Sequence, residues 1–483
     1  MTALNTSPNG RRTAAVVTAA ASFGFALVQL DVTIVNVALP KIGSTLGLDV
    51  SGLQWIVDAY ALAFAALLLT GGWLGDRFGA RRIYLGGMVV FALASLGCAL
   101  APSGAWLIAW RVVQGIGAAA MLPTSLTLIN HATGHDSKLR AQMIGWWTAA
   151  GSITIAAGPI IGGLLIGLAG WQSIFYVNVP LCAAGLLLTW RLPEATRSEG
   201  ARGFDLAGQL LAIVALATFT GSVIEARLAG IGSALVIGGF VVALAAALLF
   251  ILVESRASAP MLPLRLFRSE GFSAAVGYGI IVNFTYYGIV FVLSLYLQRV
   301  LGYSAIATGL AYLPLTASFF GVNLFSGWLI GKIGSRLPMI AGAFIDAVGF
   351  ALLLLLGAGS AYWMMLAPFA LMPLGMGLGV PAMTTAVLVS VDRKEAGIAS
   401  GVLNAARQAG GAIGVALFGA LSGDKVAHIV IGLHRSALAA IALLLIGAAL
   451  AIFAFPRPEQ ADAKGLEPSA ERARGGSKSL QTR

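Results

Sequence analysis

Apolar residues fall in long runs along this chain, separated by short stretches of charge, glycine and proline. A bilayer core takes about 20 apolar residues in a helix. Runs of that length can be marked fourteen times: 14–37, 52–73, 83–101, 105–129, 141–168, 171–190, 206–226, 231–253, 272–298, 305–330, 338–357, 362–388, 397–421 and 434–455. Several connections are nearly absent, as at 101–104, 169–170 and 357–361. The pattern therefore predicts an all-α integral membrane protein with fourteen transmembrane helices, and it leaves no sizeable outer loop of the kind an embedded enzyme would project.

Of the 30 Lys and Arg residues, five fall in loops on one side, Lys41, Arg227, Arg299, Lys425 and Arg435, and two, Arg111 and Arg407, fall inside runs. All the others fall on the opposite side. Cytoplasmic loops carry the excess of Lys and Arg, so both termini are expected in the cytoplasm of a multi-pass cell-membrane protein. Composition agrees: 58% of residues are hydrophobic and 10% are charged, against about 25% charged in soluble domains. A soluble enzyme, a nucleic-acid-binding module and a disordered chain are all excluded. The net charge of +11 resides in the short basic loops and does not call for nucleic acid. Cys98 and Cys182 both lie in apolar runs, with neither metal-ligand spacing nor a disulfide framework. Arg11-Arg12 ahead of an apolar stretch superficially resembles a signal peptide, but the stretch is too long for one and is expected to be the first membrane helix. The polar tail 457–483 is expected to be disordered.

A repeat sets the architecture. Gly72-Trp-Leu-Gly-Asp-Arg-Phe-Gly-Ala-Arg81 recurs as Gly327-Trp-Leu-Ile-Gly-Lys-Ile-Gly-Ser-Arg336, and Gly117…Pro123 is echoed by Gly375…Pro381. Two copies of a six-helix unit are expected, at 1–190 and 271–456, with a linker at 191–270 that carries an inserted seventh and eighth helix.

Three ionisable residues in apolar runs stand out. Asp31, Asp58 and Arg111 each lie about six residues from the outer end of the first, second and fourth runs, about 9 Å deep at 1.5 Å per residue. A lone charge there costs at least about 2.5–3.5 kcal/mol, and equal depth permits contact. Such a group is either a static salt bridge or a carboxylate that exchanges protons. In the first run Gln29, Thr33 and Asn36 share one face and Asp31 points roughly opposite; either face can see a cavity. In the fourth run Arg111, Gln114, Gly115, Ala118 and Ser125 form a stripe of polar and small residues. In the fifth, Gly151, Thr154, Gly158 and Gly162 form a small-residue face that admits a neighbouring helix, and Pro159 predicts a kink. Gly158, Pro159 and Gly162 are thus expected at a flexing interface between the halves. Asp346 and Arg407, in the eleventh and thirteenth runs, can pair or act separately, with a structural role favoured for Asp346. Asn283, Tyr286 and Tyr287 are candidates, with Gln114 and Arg407, for a cavity that takes an amphipathic organic substrate. Glu225 is expected to be solvated beside Arg227, and His131 and His135 to lie in a loop without a special role.

The motifs resemble a known family. Gly72…Arg82 is similar to the loop signature of the major facilitator superfamily, and Leu30-Asp-Val-Thr-Ile-Val-Asn-Val-Ala-Leu-Pro40 to the first-helix signature of its fourteen-helix drug:proton antiporter branch. Arg111-Val-Val-Gln-Gly-Ile-Gly117, Gly158-Pro-Ile-Ile-Gly-Gly163, Tyr296-Leu-Gln…Gly302-Tyr and Ser400-Gly…Arg407-Gln-Ala-Gly-Gly411 are similar to further motifs of that branch, so the resemblance covers roughly 14–455. It implies proton coupling at Asp31 and Arg111, with Asp58 as a second candidate. It also implies a conformational gate at Asp76, Arg77, Gly79 and Arg81; in the second copy Gly331 replaces the acid. The expected activity is proton-driven export of hydrophobic or amphipathic compounds such as drugs or antibiotics by a monomer in the lipid bilayer, with small organic substrate and protons as its partners. A proton-coupled uptake symporter is the alternative. No Gly-x-x-x-x-Gly-Lys-Ser/Thr motif occurs, so neither ATP nor any other cofactor or metal is expected.

Overall fold

Most polar punctuation between the runs is helix-capping chemistry. Asp49, Ser103, Asp136, Asp205, Ser233, Ser269 and Ser304 each accept a backbone N–H from the first turn of the helix that follows, which satisfies one of the four donors left open there. The computed structural model describes residues 8–134, 136–192, 203, 205–258, 260–391 and 395–455. The tail 457–483, His135 and most of 193–204 of the expected linker lie outside the described residues. Among those described, no residue forms a strand, and the α-helices are α1 (Pro8–Leu46), α2 (Val50–Phe78), α3 (Ala80–Ala99), α4 (Gly104–Thr133), α5 (Ser137–Ala169), α6 (Ser173–Tyr176), α7 (Asn178–Trp190), α8 (Leu206–Ala229), α9 (Ala234–Arg256), α10 (Glu270–Leu295), α11 (Ala305–Ala311), α12 (Leu313–Ile333), α13 (Arg336–Leu353), α14 (Trp363–Val389), α15 (Ala396–Leu421) and α16 (Val426–Ala454).

Every expected run is helical, though length and apolar composition alone mark fewer than fourteen of the helices as spans. Among the described residues eleven helices are long and apolar enough to span a bilayer, and a twelfth span is α5, bent by 40° between Ile155 and Ala157. The bend has a cause: Pro159 lacks the N–H that would bond the carbonyl four residues earlier. α11 and α12 are interrupted near Tyr312, and α15 places Asn404, Arg407 and Gln408 in its interior; none of these three is among the eleven. α16 begins at Val426, so Arg435, expected in an outer loop, lies inside a helix.

α1–α7 pack on one another and α10–α16 do the same, while α8 lies across the seam between α2 and α15. Gln209 of α8 bonds Thr70 and donates to the Ala66 carbonyl of α2 at 2.8 Å. Val223 and Ile224 pack with Ala416 of α15. α9 touches chiefly α8 and turns Leu235, Val241, Leu244, Leu248 and Ile251 outward, as a helix apolar on all sides does in lipid.

The repeat is visible in the backbone. Gly79 ends α2 with φ +104° and Gly334 ends α12 with φ +74°, and a side chain would be strained at either position. Elsewhere glycine serves close approach: a Cβ on Gly71 would lie 2.0 Å from the Ala119 carbonyl oxygen of α4, whereas one on Gly86 would meet nothing within 4 Å. Gly71→Ala is accordingly expected to lower the thermal midpoint of the detergent-solubilised protein by the equivalent of about 1–3 kcal/mol. Gly86→Ala is expected to leave it unchanged or slightly raised. Equal midpoints in a thermal-shift comparison of the two variants would show that α2 and α4 tolerate separation.

Candidate functional site

Arg111 in α4 and Asp31 in α1 are 1% and 0% exposed and form a direct ion pair, Nη1 to Oδ2, at 2.5 Å. Amides surround them. Gln114 accepts from Arg111 Nη1 at 2.7 Å and donates from Nε2 to Asp31 Oδ1 at 2.9 Å and to Ser95 Oγ at 2.9 Å. Asn178, the first residue of α7, donates to the same Asp31 oxygen at 3.2 Å. Arg111 Nε donates to the Ile56 carbonyl of α2 at 3.0 Å, and its guanidinium lies 4.2 Å over the Tyr60 ring. Four helices of the first half, α1, α2, α4 and α7, and Ser95 of α3 thus converge on one charge pair. A carboxylate and a guanidinium persist in a membrane interior when bonded partners surround them, as Gln114, Asn178 and the Ile56 carbonyl do here.

Arg111 also borders open space. A cavity is walled by Val32, Val35 and Asn36 of α1, Val57, Tyr60 and Ala61 of α2, Arg111 of α4, Tyr287 of α10, and Gln408, Gly411, Ala412 and Val415 of α15. Both halves contribute. The two faces of α1 are now distinguished: Asp31 points into its own half and Val32, Val35 and Asn36 see the cavity, while Thr33 faces Gly158 of α5. Residues Asn404 to Gln408 are all half-buried, whereas Val415 and Ala416 are buried, so access improves toward the end that holds Gly79.

The other expected residues separate. Tyr287 lines the cavity. Gln114 is turned into the Asp31 cluster instead. Asn283 donates to the Gly279 carbonyl of its own helix at 2.8 Å, and Tyr286 is buried between Tyr287 and Phe319. Arg407 adjoins the wall beside Gln408 and interacts electrostatically with Tyr287. Asp58, equally deep, does not join Asp31 and Arg111: it is fully buried, and neither carboxyl oxygen has a hydrogen-bond partner. It sits one turn after Gln54 on the same face of α2, and Gln54 Nε2 reaches across to the Ala416 carbonyl of α15 at 2.7 Å. Gly158 and Gly162 pack on Thr33 and Ile34 of α1, within the first half. The contact of α5 with the second half is made by Gly163 against Ala305 and by the Pro159 carbonyl against Gly309. Asp76 and Arg77 are exposed, Asp76 interacting electrostatically with His131, while Arg81 bonds the Thr189 and Trp190 carbonyls at the end of α7. Asp346 packs against Gly375 of α14 and does not pair with Arg407.

Sequence reasoning passed over Ser95 and Asn178, although a buried amide at a helix start is a detectable signal. It also passed over an ionic cluster at the end opposite Gly79. Arg227, at the end of α8, bridges Asp49 before α2 at 3.0 Å and Asp424 between α15 and α16 at 2.9 Å. Asp424 also accepts the Val50 N–H at 3.0 Å and faces Arg299 at 3.6 Å. Gln298 donates to the Val37 carbonyl at 2.9 Å nearby. These contacts tie the first half, the inserted helices and the second half together at that end.

Comparison with known proteins agrees with this architecture. A family model described as Major Facilitator Superfamily matches residues 21–415. The chain is 39% identical over 438 residues to a methylenomycin A resistance protein of Bacillus subtilis (strain 168), covering 90% of this chain and 91% of that protein. It is 39% identical over 410 residues to the multidrug resistance protein Stp of Mycobacterium tuberculosis (strain CDC 1551 / Oshkosh), covering 85% and 76%. A crystal structure of a D-xylose–proton symporter superposes with a TM-score of 0.66 at 16% identity, covering 92% of this chain and 98% of that one; this likeness concerns the fold.

The ionic cluster makes a quantitative expectation. Burial raises the Asp424 carboxyl, but the bonds from Arg227 and the Val50 N–H and the charges of Arg227 and Arg299 outweigh it and hold it below the ordinary carboxylate value. Its contribution to stability is therefore complete above about pH 4 and is lost only as pH falls through the lowered value. Asp49 and Asp424 are 38% and 46% exposed, so screening limits the whole cluster to about 1 kcal/mol. Arg227→Ala should lower the thermal midpoint by that amount, equally at pH 5 and pH 8, and less in 1 M salt. A difference that vanishes between pH 8 and pH 5 would show that Asp424 is not held ionised.

Proposed function

Because the chain belongs to the Major Facilitator Superfamily, we propose that it is a proton-coupled exporter of hydrophobic or amphipathic organic compounds, of the drug or antibiotic class, working by alternating access. One observation carries the reading: in a fully buried carboxylate–guanidinium pair, Asp31–Arg111, the arginine forms part of the wall of a cavity that both halves line. The names of the related resistance proteins support export over uptake.

In this proposal residues 1–190 and 271–456 rock about the cavity, and 191–270 bears the inserted pair α8–α9. The chain crosses the cell membrane fourteen times, α11–α12 and α15 completing the count, with both termini and the Gly79 end in the cytoplasm. The ionic cluster of Arg227 then closes the outer side, and the exposed Asp76 and Arg77 are an undocked cytoplasmic gate. When the outer side opens, a proton neutralises Asp31; the attraction that holds Arg111 against α1 lapses while Gln114 keeps its bond to the guanidinium, and α1 is free to shift against α4. Deprotonation toward the cytoplasm restores the pair. Asp58, buried and unbonded, is a second proton site on the α2 face toward α15. The transporter acts as a monomer without a cofactor.

Asp31→Asn tests the central step. An amide of the same shape cannot gain and lose a proton, so uphill efflux should fall about tenfold or more, with the protein still inserted and folded. Asp31→Glu should retain part of the activity. The double variant Asp31→Asn with Arg111→Gln removes both charges; if it restores proton-coupled efflux, the pair is structural and the assignment is wrong. Everted vesicles with an imposed proton gradient read the direction: an exporter accumulates substrate and a symporter does not. Reporter fusions at Gly104 and Ala361 should report outside and one at Gly79 inside; any swap among them overturns the topology.

A further inference from the structure

Arg407 lies near the middle of α15, where the helix faces α10. Gly279 of α10 makes room for it: a Cβ there would stand 3.3 Å from Arg407 Cγ. Asn283 and Tyr287 follow on the same face of α10 at four-residue spacing. The guanidinium is poorly satisfied. Its Nη1 reaches Asn404 Oδ1 at only 3.5 Å, and its Nε is buried with no partner. A guanidinium offers five N–H donors and cannot shed its proton in a protein, so this site carries a full positive charge with most of its donors unspent.

No acid among the described residues cancels that charge. Asp31 is taken by Arg111, Gln114 and Asn178. Asp58 lies on the Gln54 face of α2 and contacts no cation. Asp346 is packed against α14 and interacts with Tyr278 and Tyr286. Arg111 is neutralised within the cavity wall, and Arg407, adjoining that wall through Gln408 and Tyr287, is not. Charged residues at this depth are held by a partner or serve the transported species.

We propose that Arg407 is the anion-recognition residue of this transporter, and that its substrates are amphipathic organic acids. The carboxylate docks on the Arg407 fork with the Asn404 amide beside it. The apolar body lies along Val32, Val35, Val57, Ala61 and the Tyr287 ring. A planar fork matches a carboxylate through two parallel bonds, which a lysine ammonium does not reproduce. The assignment rests on the export reading and specifies its substrate class.

The test uses three probes of one shape and different charge, 2-naphthoate, 2-naphthamide and 2-naphthylmethylammonium, binding to the purified full chain. Naphthoate should bind about tenfold tighter than the amide or better, and the cation weakest. Arg407→Gln should weaken naphthoate about 30-fold or more, the loss expected when one partner of a desolvated charge pair is removed; Arg407→Lys should recover part of it. The uncharged amide controls for misfolding. Amide or cation binding as tight as naphthoate, or naphthoate binding indifferent to Arg407→Gln, overturns the proposal. A susceptibility panel gives the second arm. Resistance to acidic compounds that disappears in Arg407→Gln supports the assignment. Export confined to cationic or neutral compounds overturns it and leaves export standing. Export of nothing in the panel overturns the underlying reading instead.

Discussion

The first half of this protein is organised around one desolvated charge pair. Asp31 and Arg111 sit where water hardly solvates them, so the two groups need protein partners, and three helices supply them: Gln114 from α4, Asn178 from α7 and the Ile56 carbonyl and Tyr60 ring from α2, with Ser95 of α3 accepting from both amides. Removing one member of such a pair costs about 3–5 kcal/mol because the other is left charged in an apolar medium. That cost makes the arrangement sensitive to a single proton. A neutral Asp31 no longer needs the guanidinium, and the amides that orient it have other partners already in place.

At one end of the bundle the halves are joined by a set of separate polar contacts. Opposite Gly79, exposed ion pairs and amide–carbonyl bonds connect both halves: Arg227 to Asp49 and Asp424, Gln298 to Val37, Gln54 to Ala416. Each is individually weak, since several of the groups see water. Weak, separable contacts suit a seam that must open, whereas the deep pair suits a switch that must hold. α8 belongs to this seam as well, reaching α2 through Gln209 and α15 through Val223 and Ile224. The inserted helices thus join the two halves at their edge without lining the cavity, and α9 contributes an apolar face to lipid.

Much was legible along the chain itself. Runs of apolar residues about 20 long produced helices because a bilayer allows no unpaired backbone, and Asp, Ser and Gly between them marked the caps and turns. The ten-residue repeat correctly placed two equivalent helix ends at Gly79 and Gly334, since a left-handed turn there admits little else. Equal depth on α1 and α4 brought Asp31 and Arg111 together, as the spacing along each helix required.

What depended on the third dimension was which faces meet. Position along the helix puts Asp58 at the depth of Asp31, but its carboxyl joins neither Asp31 nor Arg111. Gly158 and Gly162 form the small-residue face the sequence shows, yet the partner they admit is α1, and the approach to the second half falls to Gly163 and Pro159. Asp49, Arg227 and Asp424 are separated by more than a hundred residues at each step, and no local pattern couples them. Periodicity and depth are properties of one helix and can be computed from its own residues. Rotation of a helix about its axis is settled by its neighbours, whose small residues, ridges and buried polar groups decide which face can come close.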